Sequence, residues 1–449
     1  MGSELDRMVA ATPETRDRYM DFLRAASILV VVLGHWLMVV VTLRDSTFGV
    51  SNLIAELRGM WVATWMLQVM PVFFFVGGFA NLVALDSLGT RGGGYAEFAE
   101  GRLRRLLRPV ALVLAIWLPL ATLAQALALF RQRDLAMASV AVTQLLWFIG
   151  VYLIVVALAP PMLRLHRRFG VRVPVALVAG CAAVDLLRFA FGVPFVGFLN
   201  FGFVWLFAHQ LGFFYADGTL RRLSRTTLFA VTVAALGALA ALTRFGPYPL
   251  SMVGLPGETV SNMNPPTLCL IALTVWQVAF VMLARDTVSR WLSRPRVWGA
   301  VITVNSVIMT LLLWHLSALL VAVGVLFPLG FPQPEVGSLQ WWLLRPVWIA
   351  LLGLITLTFI AAFGRFERAR PASAANVVHG NGTLASLGMV LVIVGICGFA
   401  VSGIVDLVDP HGRRLIVLPV SPLISLACLL AGTGAVRLAK ARRLSPATR

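Results

Sequence analysis

Charge is scarce in this chain. Only 12% of its residues are charged, and Lys440 is the single lysine. A soluble domain carries roughly a quarter charged residues and about half apolar ones; here 59% are hydrophobic and the mean hydropathy is +0.88. That composition excludes an ordinary soluble globular protein. The four cysteines (Cys181, Cys269, Cys397, Cys428) lack metal-ligand spacing and lie in apolar runs, so they read as small buried hydrophobes and no metal is expected. The first twenty residues lack the hydrophobic stretch of a cleavable signal, so the first apolar run is expected to stay in the protein. No repeat relates the two halves, as it often does in alternating-access transporters. The net charge of +18 lies between the apolar runs rather than in one patch, so no nucleic-acid partner is expected.

What the sequence has in abundance is apolar runs of about twenty residues, each long enough to cross a hydrocarbon core. Lipid offers nothing to satisfy an open backbone, so such runs must be helices. The expected fold is an all-α polytopic transmembrane bundle of about twelve spans. They fall at 22–42, 61–84, 109–130, 142–163, 173–190, 196–215, 227–243, 267–284, 299–326, 346–364, 385–405 and 415–436. About three of every four basic residues fall in alternate connections, which puts both termini in the cytoplasm. The long connections at 243–266 and 327–342 then lie outside, and no soluble domain is expected beyond the helices.

Polar residues inside a span are expensive and usually functional. The first span is the most informative, because Asp21, Arg24 and His35 share one helix face. Arg24 and His35 are eleven residues apart, about three turns and roughly 16 Å. Gly34 leaves room for a ligand beside the histidine. Two readings stay open from spacing alone. His35 is either a structural histidine bonded to another helix, with Asp21 and Arg24 an interfacial ion pair, or a general base at mid-membrane. Likewise Arg102, Arg105 and Arg108 read either as a positive-inside anchor or as a phosphate-binding cluster, since arginine grips phosphate bidentately.

The stretch Arg18-Tyr-Met-Asp21-Phe-Leu-Arg24 through Gly34-His35 resembles the opening signature of the membrane-bound acyltransferase-3 family, with a basic residue ten positions before Gly-His. Pro71-Val-Phe-Phe-Phe-Val-Gly-Gly-Phe79 is similar to that family's aromatic second segment, departing from it in Gly77 where a serine is common. The inner loop Gly101-Arg-Leu-Arg-Arg-Leu-Leu-Arg-Pro109 contains an Arg-x-x-Arg element, best at Arg105 and Arg108, with Arg102 and Arg105 a second frame. Leu146-Trp147-Phe-Ile149, Asn264-Pro-Pro-Thr267 and Met309-Thr-Leu-Leu-Leu-Trp-His315 extend the resemblance to residues 16–365.

The resemblance implies O-acyl transfer across the membrane, from cytoplasmic acyl-CoA to a hydroxyl of an envelope glycan, glycolipid or glycosylated metabolite. It implies His35 as base, with Asp21 and Arg24 lining the donor's access path. Arg102, Arg105 and Arg108 would hold the donor, and His315, Trp147 and Asn264 are candidates to line the site. No motif marks a covalent nucleophile. The domains expected are a cytoplasmic tail (1–20), an acyltransferase core of ten spans (21–366), and a linker with two further helices and a basic tail (367–449). The bilayer and the acceptor are the remaining expected partners, and a homo-oligomer stays open. The Arg-over-Lys bias suggests a bacterial inner membrane. His209 is expected to be structural, His166 and His411 to be solvated, and Asp185 to pair with Arg188. Asn264 could alternatively just start the eighth helix. A secondary transporter or lipid flippase is the competing reading; a noncatalytic scaffold leaves the shared face of Asp21, Arg24 and His35 unexplained.

Overall fold

The computed structural model describes residues 7, 9–10, 12–13, 15–45, 47–367, 380–408 and 413–440. In chain order the elements begin with α1 (Arg18–Met38), a hairpin of β1 (Val39–Arg44) and β2 (Thr47–Asn52), α2 (Leu53–Glu56), α3 (Trp61–Leu67), α4 (Met70–Gly89), α5 (Tyr95–Ala126), α6 (Gln132–Thr143) and α7 (Leu146–Phe169). They continue with α8 (Arg172–Phe189), α9 (Asn200–Ala216), α10 (Arg225–Phe245), α11 (Leu268–Leu292), α12 (Pro295–Ser306), α13 (Ile308–Leu326), α14 (Leu339–Glu367) and α15 (Gly382–Ser402). A two-residue pairing of β3 (Arg414–Leu415) with β4 (Leu418–Pro419) precedes α16 (Pro422–Ala439). Among the described residues, 11 segments are long and apolar enough to cross a membrane. The chain is an all-helical multi-pass membrane protein.

Eleven of the expected spans coincide with those segments. The remaining one, 173–190, is the helix α8, which carries Arg172, Asp185 and Arg188 and so falls short in apolar character. Four boundaries need correction. The twelfth span does not start at 415 but at Pro422, after the β3–β4 pairing. The first span does not run to residue 42: α1 stops at Met38, and the β-branched run Val39-Val40-Val41-Thr42 enters the hairpin, which turns at Asp45 with φ +47°. The ninth span, 299–326, is not one helix. It breaks at Val307 (φ −130°), after the polar pair Asn305-Ser306. Finally, the arginine-rich stretch 101–109 is no loop but part of the 32-residue helix α5, which tolerates Pro109 and Pro119 in its interior.

The chain divides into two compact units. The first comprises Met1–Ala80 and Met162–Ile360. Its core gathers Tyr19, Met20 and Leu23 of α1 with Phe75, Tyr215 and Trp298. Gly78 and Gly212 let α4 and α9 approach backbone to backbone: a Cβ at Gly78 would collide with the His209 carbonyl. Such small-residue contacts take the place of a hydrophobic drive between helices in lipid. The second unit comprises Asn81–Pro161 and Ala361–Arg449. There α15 and α16 pack through Gly388 and Gly432, where a Cβ on either would lie within 2.8 Å of the other's carbonyl oxygen. Lys440 pairs with Glu100 at 2.8 Å.

A candidate active site at the end of the first helix

Helix α1 is fixed at its start by capping and long-range bonds. Asp17 caps it, accepting from Met20 N at 3.0 Å and from the Tyr215 hydroxyl at 2.8 Å. The Tyr19 hydroxyl donates to the Val281 carbonyl, and Arg18 lies over the Trp298 ring at 5.2 Å. One turn on, the buried Asp21 carboxylate accepts from Arg16 at 2.5 Å and from Arg24 at 3.3 Å. The Asp21–Arg24 ion pair expected from the simpler reading is therefore formed. Asn305, from the turn before the Val307 break, donates to the Asp21 carbonyl at 3.0 Å.

His35 lies in the last turn of α1 rather than at the middle of a longer span, because the chain leaves the helix at Val39. Its Nδ1 is 2.8 Å from Nε2 of His315, which is fully buried on α13. The ring centres are 5.1 Å apart and the planes are inclined by 4°, so the imidazoles meet edge to edge in one plane. In that arrangement an N–H points along the partner's lone pair. The Trp36 indole donates to the His315 carbonyl at 3.1 Å and anchors the same crossing.

The protonation pattern follows from the far end of this chain of bonds. His315 Nδ1 is 2.6 Å from the Leu312 carbonyl, which can only accept. His315 Nδ1 therefore carries the proton, and in a neutral imidazole its Nε2 is the acceptor. Hence His35 Nδ1 donates, and His35 Nε2 is left as the bare lone pair. Among the described residues no group bonds that nitrogen, and the space beside Gly34 is open, with no atom within 4 Å of where a Cβ would lie. The arrangement is that of a histidine whose tautomer is set by a second histidine and a backbone carbonyl.

Of the residues singled out in the sequence, Asp21, Arg24, His35, His315 and Asn264 belong to the first unit. The structure joins His35 to His315, and Asp21 to Arg24. Asn264 is exposed in the connection before α11, with its backbone N–H on Ser261. It does not start the helix, which begins at Leu268 after Thr267. The neighbouring Asn262 orders this loop through Pro249, Ser251 and Thr267.

Arg102, Arg105, Arg108 and Trp147 belong to the second unit. Arg105 and Arg108 are exposed on α5, while Arg102 lies over the Phe98 ring at 5.4 Å. Trp147 is half-buried against Phe148. Among the described residues no group of three His, Cys, Asp or Glu side chains is placed to hold a metal.

Other expectations fare differently. His166 is not solvated: it is buried, with Nε2 3.0 Å from Asp217 and Nδ1 2.8 Å from Gln210, because α7 carries it past the basic loop onto α9. His209 is fully buried against Phe213. Asp185 does not pair with Arg188. Its carboxylate accepts from Asn200, Tyr248 and the Leu268 N–H, while Arg188 lies over Phe189. His411 lies outside the described residues. Sequence reasoning missed Trp36, Asn305 and the Leu312 carbonyl. Trp36 adjoins His35 and Leu312 is one turn before His315, so both were within reach of the motifs already read.

A family model described as an acyltransferase domain, that of the acyltransferase-3 family, matches residues 17–365. The chain belongs to that family. It is a membrane acyltransferase, and the match spans α1 with His35, the arginines of α5, and His315. Comparisons with curated proteins and with solved structures find no match.

Proposed function

We propose that this acyltransferase is an O-acyltransferase, moving an acetyl or other short acyl group from acyl-CoA to a hydroxyl of an envelope glycan, glycolipid or glycosylated metabolite. The observation that supports it most is the in-plane His35–His315 hydrogen bond, which leaves His35 Nε2 as a base of fixed tautomer. His35 Nε2 takes the acceptor's hydroxyl proton as its oxygen attacks the thioester carbonyl. The tetrahedral adduct collapses by breaking its C–S bond, and the departing thiolate recovers the proton from His35 Nε2. While the imidazolium exists, its Nδ1–H remains bonded to His315, so the charge is met without rearrangement.

Arg105 and Arg108, with Arg102, would grip the donor's phosphates; the exposed guanidinium groups suit bidentate contacts of that kind. Asp21 and Arg24, at the opposite end of α1 from His35, would line the donor's approach. On this reading that end faces the cytoplasm, as the basic connections favour, with both termini on the same side, and the arginine bias favours a bacterial inner membrane. The acceptor reaches His35 from the outer face.

The test is acetyl-CoA turnover by the purified protein. His35→Ala should lower it about 100- to 10,000-fold, the usual worth of a positioned base, without altering elution from a sizing column. Full turnover in a folded variant would remove His35 from the mechanism. A wild-type protein that neither binds acetyl-CoA nor releases CoA would overturn the donor assignment.

A further inference from the structure

We propose that Arg345 and the aromatic cleft around it bind an anionic group, a carboxylate or a phosphate, carried by the acyl acceptor. The word acceptor rests on the function proposed above; the anion rests on the geometry of the cleft itself.

The cleft lies one helical turn beyond the histidine pair. Leu319, on one wall, is four residues after His315 on α13, about 6 Å along the axis. Val39 to Thr42, on the same wall, continue directly from the turn that carries His35. The rest of the lining is largely aromatic, with Phe327, Phe331, Trp341 and Trp348, and Arg345 among them. The space is narrow, with a cavity volume of about 30 Å³. It admits the charged end of a ligand more readily than a whole sugar ring.

Among the described residues Arg345 has no counter-charge. Its guanidinium stacks 4.1 Å over the Trp341 ring, and its Nε is buried with no hydrogen-bond partner. Among the described residues it makes no ion pair. Other arginines of the same unit differ: Arg16 and Arg24 share Asp21, and Arg285 reaches Tyr215 and Asp286. Gln333, a polar side chain of the cleft lining, already accepts at its Oε1 from the Leu43 N–H at 2.7 Å.

A half-buried guanidinium offers five donors in a fixed fork, and leaving it unpaired is costly. Stacking on an indole holds the fork in place without satisfying its N–H groups. What completes such a site is a planar or tetrahedral oxyanion. A hydroxyl-bearing acceptor with a uronic acid or a phosphate would seat its anion here and offer a neighbouring hydroxyl to His35. A neutral sugar would leave the cation bare. A phospholipid headgroup carries the same chemistry, and the experiment separates the two.

The measurement is tryptophan emission of the full chain in detergent, titrated without acyl donor with glucuronate, inorganic phosphate and, as the neutral control, glucose. The expected result is saturable binding of glucuronate or phosphate about tenfold or more tighter than glucose. Arg345→Gln should abolish that preference, Arg345→Lys should keep part of it, and Trp341→Phe should remove most of the signal. Glucose binding as well as the anions, or an undiminished preference in Arg345→Gln, would sink the proposal. The comparison within wild type decides the matter even if that variant does not fold.

In nanodiscs, a response to phosphatidylglycerol over phosphatidylcholine that no soluble anion displaces would assign the cleft to lipid and overturn the acceptor reading. Because no donor is present, these outcomes are independent of acetyl-CoA turnover. A His35-dependent turnover with no anion preference would leave the proposed reaction standing and remove this site alone.

Discussion

His315→Ala removes the acceptor that holds the His35 Nδ1 proton. In the resting state that bond joins two neutral rings and is worth about 1 kcal/mol. When His35 carries the hydroxyl proton, the same bond has a charged donor and is worth about 1.5–3 kcal/mol. Only the difference, about 0.5–2 kcal/mol, acts on the chemical step, or roughly two- to thirtyfold in kcat. Loss of the acceptor also frees the His35 proton to move to Nε2, which removes the base in part of the molecules. The combined loss expected is about ten- to a hundredfold.

The fold should outlast the change better than its burial suggests. The Trp36 indole bonds the His315 backbone carbonyl, not its ring, so that anchor persists in any variant. Alanine would still leave a cavity at a fully buried position, costing a few kcal/mol on the order of other large-to-small core changes. His315→Gln is therefore the companion variant: its Oε1 can accept from His35 Nδ1 and its bulk fills much of the space. Steady-state acetyl-CoA turnover should show kcat lowered in His315→Ala, partly restored in His315→Gln, with the apparent KM for acetyl-CoA near wild type in both. A folded His315→Ala enzyme with unchanged kcat would refute the tautomer argument. So would a Gln variant no better than Ala, since a mere packing role predicts no such ordering.

Two other predictions concern the arginines and the helix contacts. Replacing Arg105 and Arg108 together by Gln should raise the apparent KM for acetyl-CoA about tenfold or more at low salt and leave kcat within a few fold, since charge-assisted contacts to phosphate are lost; an unchanged KM would return the pair to the role of membrane anchor. Gly78→Leu should abolish a monodisperse detergent-extracted protein, because its Cβ alone would collide with the His209 carbonyl and would lie 3.1 Å from Gly212 Cα, whereas Gly34→Ala, which meets no atom within 4 Å, should purify like wild type; equal thermal melts for the two would contradict the close approach of α4 and α9.

The legible part of this protein was the part governed by lipid. Hydropathy places helices because a membrane leaves the backbone no alternative, and it located the helices of the bundle to within a few residues at most ends. It overran wherever an apolar run was not a helix. Val39-Val40-Val41-Thr42 is as hydrophobic as the helix before it, and only its β-branching distinguishes it. The opposite failure occurred at residues 101–109, where charge suggested a loop although nothing there ends a helix. Asp21, Arg24 and His35 were legible together because a helix face is a matter of counting. His315 was named only as a candidate lining residue, since no count along one helix reports the distance to another. Arg345 was not singled out, because the cleft it lines is assembled from segments far apart in the sequence.

The two departures from regular helix are what make the spacing on α1 useful. Alpha-helical geometry separates Asp21 from His35 by about 21 Å, but the positions they bond, Asn305 and His315, would be only about 15 Å apart on one straight helix. A continuous helix across 299–326 could not meet both ends of α1 without tilting away from one of them. The break at Val307 resolves the mismatch: α12 holds the Asp21 carbonyl through Asn305, and α13 independently presents His315 and its carbonyl to His35 and Trp36. Both ends of the interval from Asp21 to His35 are thereby tied to the same neighbouring run of chain. An interval held at both ends cannot slide or rotate by a fraction of a turn, and a fraction of a turn is enough to break a 2.8 Å bond between coplanar rings. Polar, poorly helical residues in the middle of an apolar run are thus part of how His35 is held against His315.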